Sequence, residues 1–196
     1  MSFAETDWLR QAQHHDDEAF THLVETYQTP VYNLCYRMLG NAQEAEDAAQ
    51  ETFWRAYQAI NRYDPSRPFG TWLLSIAAHY CIDQQRRKRV PTLDVDLMTD
   101  MDAPDPAPQP EKVLGQRQEK EAIARVLENL NEQDRAIIIL RYWQEYSEEE
   151  ISQALSLSVS AVKSRLHRAR RQLAQLWLDS PQQVALERNH HESPAF

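Results

Sequence analysis

The chain has 196 residues, of which 42% are hydrophobic and 26% are charged, as in a globular protein of one large or two small domains. No run of about 18 apolar residues occurs, and no basic segment followed by an apolar stretch opens the chain, so we expect neither stable membrane insertion nor a signal peptide. The formal net charge is −9, yet residues 151–178 carry five cations and no acidic side chain. An uneven charge distribution of this kind indicates what the protein binds rather than how it folds.

The first half of the chain shows helical periodicity. Apolar side chains recur at steps of three and four, which predicts three helices, over residues 17–39, 42–61 and 70–89. Pro30 is expected to kink or split the first helix, because it removes one backbone donor. Gly40 suits the C-terminus of that helix, and Asn41 with Glu44 resembles a capping arrangement for the next one.

Two cysteines, Cys35 and Cys81, lie inside these apolar patterns. Free cysteine is commonly buried, and disulfides are rare in a reducing compartment. We therefore expect two buried thiols in a cytoplasmic protein.

Residues 90–112 hold five of the ten prolines and six acidic residues, a composition that cannot bury a core and is typical of a linker. Four further helical patterns follow it, and a polar tail ends the chain. The predicted fold is all-α, with two small helical domains joined by an acidic, proline-rich linker. The predicted boundaries are 1–89 and 116–178 for the domains, 90–115 for the linker and 179–196 for the tail.

The stretch SEEEISQALSLSVSAVKSRL has the layout of a helix-turn-helix. Ser147 and Glu150 form a capping box, and Ser158 is a suitable N-cap for the second helix. The side of that helix opposite its apolar residues presents hydroxyl, imidazole and guanidinium donors that fit a major groove, with cations for phosphates. The candidate DNA-binding residues are Ser160, Lys163, Ser164, Arg165, His167, Arg168 and Arg171. The alternatives are a basic surface helix or a helix that binds an acidic partner.

The segment LENLNEQDRAIIILRYWQEYSEEEISQALSLSVSAVKSRLHRARRQL resembles the C-terminal domain of bacterial sigma-70 family sigma factors of the extracytoplasmic-function (ECF) group. In that family this helix reads the minus-35 promoter element. Two departures concern the turns: Ser156 stands where the family usually has glycine, and Asn131 stands where proline is frequent. Serine lacks glycine's freedom at positive φ, so we expect a strained turn at Ser156.

The segment LCYRMLGNAQEAEDAAQETFWRAYQAI resembles the family's polymerase-binding region. On the predicted helix, Trp54 points away from the apolar face, and an exposed tryptophan on an acidic surface is an exception to ordinary burial. The resemblance implies that core RNA polymerase binds this face, whose candidate residues are Asp47, Gln50, Glu51, Trp54 and Gln58. The alternative is that Trp54 packs against a neighbouring segment.

The segment RPFGTWLLSIAAHYCIDQQRRKR resembles the family's promoter-melting region. Aromatic rings can stack on unpaired bases and cations can hold the backbone. The resemblance implies minus-10 contacts from Arg62, Tyr63, Arg67, Ser75, His79, Arg86, Arg87, Lys88 and Arg89. Ile82 is expected on the same exposed side, and Trp72 in the core. His79 replaces the family's usual asparagine.

The sequence therefore predicts an ECF sigma factor that binds core RNA polymerase and promoter DNA; many relatives also bind an anti-sigma factor. The alternative is a helix-turn-helix regulator that acts without core polymerase. No phosphate-binding loop, CxxC or HExxH motif occurs, and the only Glu-x-x-His spacing suited to a helical di-iron enzyme lies in the tail. We expect no catalytic site, cofactor or metal. The linker acids could mimic nucleic acid or serve as a plain spacer.

Overall fold

The computed structural model describes residues 3–89, 123–124 and 126–178, and within these ranges the chain is all-helical, which confirms the predicted fold class. The predicted linker at 90–115 and the tail at 179–196 lie outside the described residues. The helices are α1 (Phe3–Ala12), α2 (Asp17–Leu39), α3 (Ala42–Ala59), a 3-10 turn (Ile60–Arg62), α4 (Phe69–Arg89), α5 (Glu132–Trp143), α6 (Glu148–Leu155) and α7 (Val159–Leu178).

Helices α1 to α4 form the N-terminal bundle, and its caps follow the sequence signals. Gly40 ends α2 in the left-handed conformation at φ 75°, and its backbone N–H donates to the Tyr36 carbonyl. The Asn41 side chain then accepts a hydrogen bond from the Glu44 backbone over 3.1 Å, so the predicted capping arrangement for α3 is confirmed. Both cysteines are free and buried, also as predicted.

Two features of this bundle differ from the sequence predictions. Helix α2 continues through Pro30 as one element, so the expected split does not occur, and the expected kink stays a prediction. Buried residues on both sides of the proline, such as Leu23 and Val31, hold the two halves of the helix against the core while one backbone hydrogen bond is missing. Helix α1 was not predicted; it packs on α2 through Leu9 and Ala12, which are too few apolar positions to show a period.

Helices α5 to α7 form the C-terminal half. Asn131 caps α5 by accepting from the Asp134 backbone, which explains how the helix starts without the family's proline. The capping box of Ser147 and Glu150 is present at the start of α6, as predicted. Ser156 ends α6 in the left-handed region at φ 54°, so the strained turn expected there is confirmed. Ser158 caps α7 by accepting from the Ala161 backbone over 3.2 Å.

The two halves of the chain are in direct contact, a contact that the sequence did not predict. Helix α4 packs against α5 and α6, α2 packs against α5, and buried residues of both halves belong to one hydrophobic cluster. The Arg135 guanidinium of α5 donates to the Met38 carbonyl at the end of α2 over 2.5 Å. The C-terminal half therefore lies over one side of the N-terminal bundle.

Candidate nucleic-acid and partner surfaces

Helix α7 presents the predicted polar face to solvent. Val162, Leu166 and Ala169 are buried against α5 and α6, and the opposite side is exposed. The exposed candidates are Ser160, Lys163, Ser164, His167, Arg168 and Arg171. Within the described residues, Arg168 and Arg171 make no ion pair, so both guanidinium groups are available to phosphates or base edges.

Arg165 is the one candidate on α7 that is not exposed, and Lys163, although exposed, pairs with Glu148 over 3.5 Å. Its Nη1 donates to Oδ1 of Asp134 over 2.7 Å, and the Arg165 side chain is only 26% exposed. Asp134 is itself 7% exposed, and its other oxygen accepts from the Asn131 amide over 2.6 Å. Asp134 thus ties α7 to the start of α5. Sequence reasoning missed this role, since no local pattern connects residues 31 positions apart.

The loop between α3 and α4 places the predicted minus-10 residues unequally. Arg62 and Arg67 are exposed, as expected for backbone contacts. Tyr63, by contrast, is buried, packs edge-on against the Phe69 ring and donates its hydroxyl to the Arg67 carbonyl. Burial raises the pKa of Tyr63 to about 12. Tyr63 is therefore not in the exposed position expected of it, because its ring is part of the core; its contact with the minus-10 element stays a prediction.

Trp72 lies beside this loop and is half-buried. Its ring is 5.2 Å from that of Tyr63 and 5.5 Å from that of Phe69, centroid to centroid. The placement of Trp72 with the core agrees with the prediction.

Helix α4 carries the remaining minus-10 candidates. His79, Arg86, Arg87, Lys88 and Arg89 are exposed, whereas Ser75 is half-buried and donates its hydroxyl to the Trp72 carbonyl over 2.7 Å. Two of the four terminal cations have acidic partners: Lys88 pairs with Glu44 over 2.5 Å, and Arg89 pairs with Glu132 of α5 over 2.9 Å.

One side of α4 is a continuous buried row, the α4 stripe, made of Thr71, Leu74, Ala78 and Ile82. The expectation that Ile82 is exposed is wrong, because Ile82 lies in this buried row. The Thr71 side chain lies beside that of Tyr146, which precedes α6. Burial raises the pKa of Tyr146 to about 12, and the neighbouring Thr71 side chain opposes that shift.

The outer face of α3 carries the predicted polymerase residues. Trp54 is 56% exposed and stacks on Tyr57 of its own helix at a centroid distance of 6.3 Å, so packing against a neighbouring segment is ruled out for the described residues. Asp47, Gln50 and Gln58 are exposed around Trp54, and Glu51 is half-buried in an ion pair with Arg55 over 2.7 Å.

A groove between α2 and α3 borders the Trp54 face. Its apolar lining includes Val24, Tyr32, Ala49 and Phe53. On the apolar face predicted for this helix, Ala49 and Phe53 are only half-buried, whereas Ala48 is buried. Steps of three and four place both Ala48 and Ala49 next to apolar neighbours on this helix, so the sequence did not show which of the two is buried.

Neither a membrane span nor a metal cluster is found in the described ranges. No helix there combines the length and apolarity that a bilayer crossing needs. No group of three or more histidine, cysteine, aspartate or glutamate residues in those ranges could hold a metal ion. His15 contacts Asn61 through its ring over 3.1 Å.

Comparison with known proteins agrees with this arrangement of surfaces. The family described as sigma-70 region 2 matches residues 23–90, and sigma-70 region 4 matches residues 120–173. The ECF RNA polymerase sigma factor SigW of Bacillus subtilis (strain 168) is 37% identical over 173 residues, which cover 84% of this chain and 92% of SigW.

Solved structures show the same fold. CnrH, solved in complex with the cytosolic domain of CnrY, has 28% identity and a TM-score of 0.68, with 90% of this chain and 99% of that chain covered. The sigma factor RpoE, solved with the anti-sigma factor NepR from Bartonella quintana, has 19% identity and a TM-score of 0.62, with 82% and 98% covered. With both sigma-70 regions matched and a curated ECF relative aligned over most of its length, the chain belongs to the ECF group of sigma-70 family RNA polymerase sigma factors.

Proposed function

We propose that this sigma factor directs promoter-specific initiation and that its two halves make different contacts. The N-terminal bundle binds core RNA polymerase through the outer face of α3 and contacts the minus-10 element through α4 and the loop before it. The C-terminal helix-turn-helix reads the minus-35 element through α7. The chain acts in the cytoplasm, supplies no catalytic group of its own, and has an anti-sigma factor as the further partner that membership of this group implies.

The exposed Trp54 is the observation that carries the polymerase assignment. A large aromatic ring that is 56% exposed keeps apolar surface in water and forgoes the stabilisation of burial, so it contributes little to the fold of the free chain. Tryptophan is enriched among the residues that dominate binding energy at protein interfaces. Its stack on Tyr57, whose hydroxyl donates to Asp17 over 2.7 Å, holds the ring in one orientation. A regulator that acts without polymerase would not need this surface.

The assignment of α7 rests on charge and exposure. Five cations occur along the helix without one acidic residue. Such a helix binds a DNA duplex favourably through phosphate contacts and counterion release. Arg168 lies on the exposed side together with Ser164 and His167, opposite the buried Leu166. These side chains can therefore meet base edges when the helix enters a major groove.

The test is reconstitution of the full chain with core polymerase on a library of promoter fragments, followed by sequencing of the transcripts. Initiation from a shared promoter pattern is expected. Trp54→Ala should lower affinity for core polymerase by about 2 kcal/mol or more, roughly 30-fold, without altering DNA binding by the free chain. Arg168→Ala should cost about 1–3 kcal/mol on the selected sequence. DNA binding with no transcription would instead favour a regulator independent of polymerase.

The α4 residues need a separate measurement because two of them are already paired. Arg86 and Arg87 are exposed and form no ion pair in the described residues, whereas Lys88 and Arg89 have acidic partners. We therefore assign the first DNA contacts at the end of α4 to Arg86 and Arg87. Permanganate footprinting of the melted strand with Arg86→Ala and Arg87→Ala should show weaker opening, and unchanged opening in both would remove them from the site.

A further inference from the structure

The α1–α2 turn, residues 13–16, contacts the start of the loop between α3 and α4. The side-chain nitrogen of Gln13 donates to the Ile60 carbonyl over 3.2 Å and to the Tyr63 carbonyl over 3.0 Å. Both partners are acceptors, so only the amide nitrogen, with its two protons, can face them. One side chain therefore holds the backbone on both sides of Arg62.

Gln13 is itself anchored by the helix that precedes it. Its backbone N–H donates to the Leu9 carbonyl over 3.0 Å, and Leu9 and Ala12 are buried where α1 packs on α2. A donor on a packed element loses little further conformational freedom when it meets its acceptors. The two hydrogen bonds from Gln13 therefore join the loop to the core of the N-terminal bundle.

Two further contacts join the same parts of the chain. The His15 ring nitrogen lies 3.1 Å from the Asn61 amide nitrogen, and the Tyr57 hydroxyl near the end of α3 donates to Asp17 over 2.7 Å. His15 has a backbone φ of 65°, a left-handed conformation that costs energy in any residue except glycine. Such strain persists only where the surrounding contacts fix the backbone, so the α1–α2 turn is held in one conformation.

From Tyr63 the contacts continue to the second arginine of the loop. The buried Tyr63 ring packs against Phe69, and its hydroxyl donates to the Arg67 carbonyl. The Arg67 backbone N–H donates to the Asp64 carbonyl over 3.1 Å. Gln13 thus bonds the residue that in turn holds Arg67, while the side chains of Arg62 and Arg67 stay exposed.

We propose that Gln13 is a positioning residue for the minus-10 contact, whose side-chain amide fixes the loop from which Arg62 and Arg67 meet the promoter. A loop that becomes ordered only on binding loses affinity, because every residue that is fixed loses conformational entropy. A loop already fixed in the free chain avoids that loss. Gln13 is half-buried and acts through the loop rather than on the DNA. The inference rests on the proposed function, because it requires the two arginines to contact DNA.

The first experiment measures the order of the loop in the free, full-length chain by amide hydrogen exchange. Gln13→Met keeps an unbranched side chain of similar length and removes both donors. Exchange of the backbone amides of residues 61–67 should become about fivefold to thirtyfold faster, since two hydrogen bonds to carbonyls are lost. The Tyr63 amide, which donates to the Ile60 carbonyl over 3.1 Å, is the main reporter.

Gln11→Met is the matched control, because the Gln11 side chain is exposed on α1 and the same substitution there should leave exchange in the loop unchanged. Exchange in α2 should be the same in both variants and in the unaltered chain. Unchanged exchange of the loop in Gln13→Met would overturn the proposal. Equal acceleration throughout the N-terminal bundle would also overturn it, because Gln13 would then stabilise the whole bundle rather than fix the loop.

The second experiment measures binding of the chain, assembled with core polymerase, to a promoter fragment that is mismatched across the minus-10 element and therefore already melted. The fragment carries a sequence selected in the reconstitution described above. Gln13→Met should weaken binding by about fivefold to thirtyfold. In a chain that already carries Arg62→Ala and Arg67→Ala, the same change should cost less than about twofold, because Gln13 acts through those two side chains. Equal losses in the two backgrounds would refute the positioning role.

Failure of the proposed function appears in a different variant. If the chain with Arg62→Ala and Arg67→Ala binds the fragment like the unaltered chain, the assignment of these minus-10 contacts fails before Gln13 is changed, and the positioning role fails with it. If that chain binds weakly while Gln13→Met binds normally, the assignment of the arginines stands and only the role of Gln13 is refuted.

Discussion

Replacing Arg165 with methionine should weaken the C-terminal helices more than it weakens DNA reading, although sequence reasoning placed Arg165 among the DNA contacts. Its guanidinium donates to Asp134 over 2.7 Å, with side chains 26% and 7% exposed. A hydrogen bond to a charged group contributes about 1.5–3 kcal/mol, and the partial exposure of Arg165 argues for the lower half of that range. Asp134 keeps its bond from Asn131, so the full cost of a buried, unpaired carboxylate is avoided.

The expected loss is therefore about 1.5–2 kcal/mol, which corresponds to a fall in melting temperature of roughly 3–8 °C for a chain of this size. Denaturant unfolding of the full chain, monitored by circular dichroism, measures the change. Arg168→Met is the control, because Arg168 is exposed on the same helix; its stability should stay within about 0.5 kcal/mol while specific DNA binding falls.

A double-mutant cycle then isolates the pair. Arg165→Met, Asp134→Ala and the double variant should show a coupling free energy of about 1–2 kcal/mol. If Arg165→Met unfolds like the unaltered chain and loses DNA affinity as Arg168→Met does, the ion pair is not a structural tie and Arg165 belongs to the DNA surface.

Three further changes concern single features of the fold. Ser156→Gly should stabilise the chain by about 0.5–1 kcal/mol in thermal unfolding. Relief of the left-handed serine gains about 1–2 kcal/mol, whereas the greater freedom of glycine in the unfolded chain costs about 0.4–1 kcal/mol. Lower stability of the variant would contradict the strain at Ser156. Leu166→Ala, at a fully buried position, should cost about 2–5 kcal/mol in denaturant unfolding, and a loss below 1 would show that α7 is loosely packed. Tyr146 has a folded pKa of about 12 against 10 unfolded, so its stabilising contribution is complete below pH 10 and disappears as pH rises through 12. Unfolding measured across that window should show less alkaline loss in Tyr146→Phe than in the unaltered chain.

The sequence predicted what depends on neighbours along the chain. Asn41, Ser147 and Ser158 cap the helices that they were expected to cap, because a cap needs only a side chain and a backbone amide three residues on. The polar and apolar faces of α7 were also predicted, since its apolar residues keep one period from Val162 to Leu173.

What the sequence did not predict depends on contacts between distant segments. Helix α4 is apolar on more than one side, so its periodicity could not show which row meets its own bundle and which meets the C-terminal half. For that reason Ile82 was predicted to be exposed although it is buried. Tyr63 was predicted to be accessible because a tyrosine in a loop usually is. The pairing of Asp134 with Arg165 was not predicted, because only the fold brings α5 beside α7.

The contact between Arg37 and Trp143 provides an optical reporter inside the native sequence. Trp143 lies in the C-terminal half, and the Arg37 guanidinium of the N-terminal bundle lies 5.0 Å from the centre of its ring, where its charge changes the electric field at the indole. With phenylalanine at positions 8, 72 and 177, emission would come from this indole and from Trp54, which is kept because it is the proposed polymerase contact. A change in the Trp143 emission on mixing with polymerase would then report, without any attached dye, whether the two halves stay in contact.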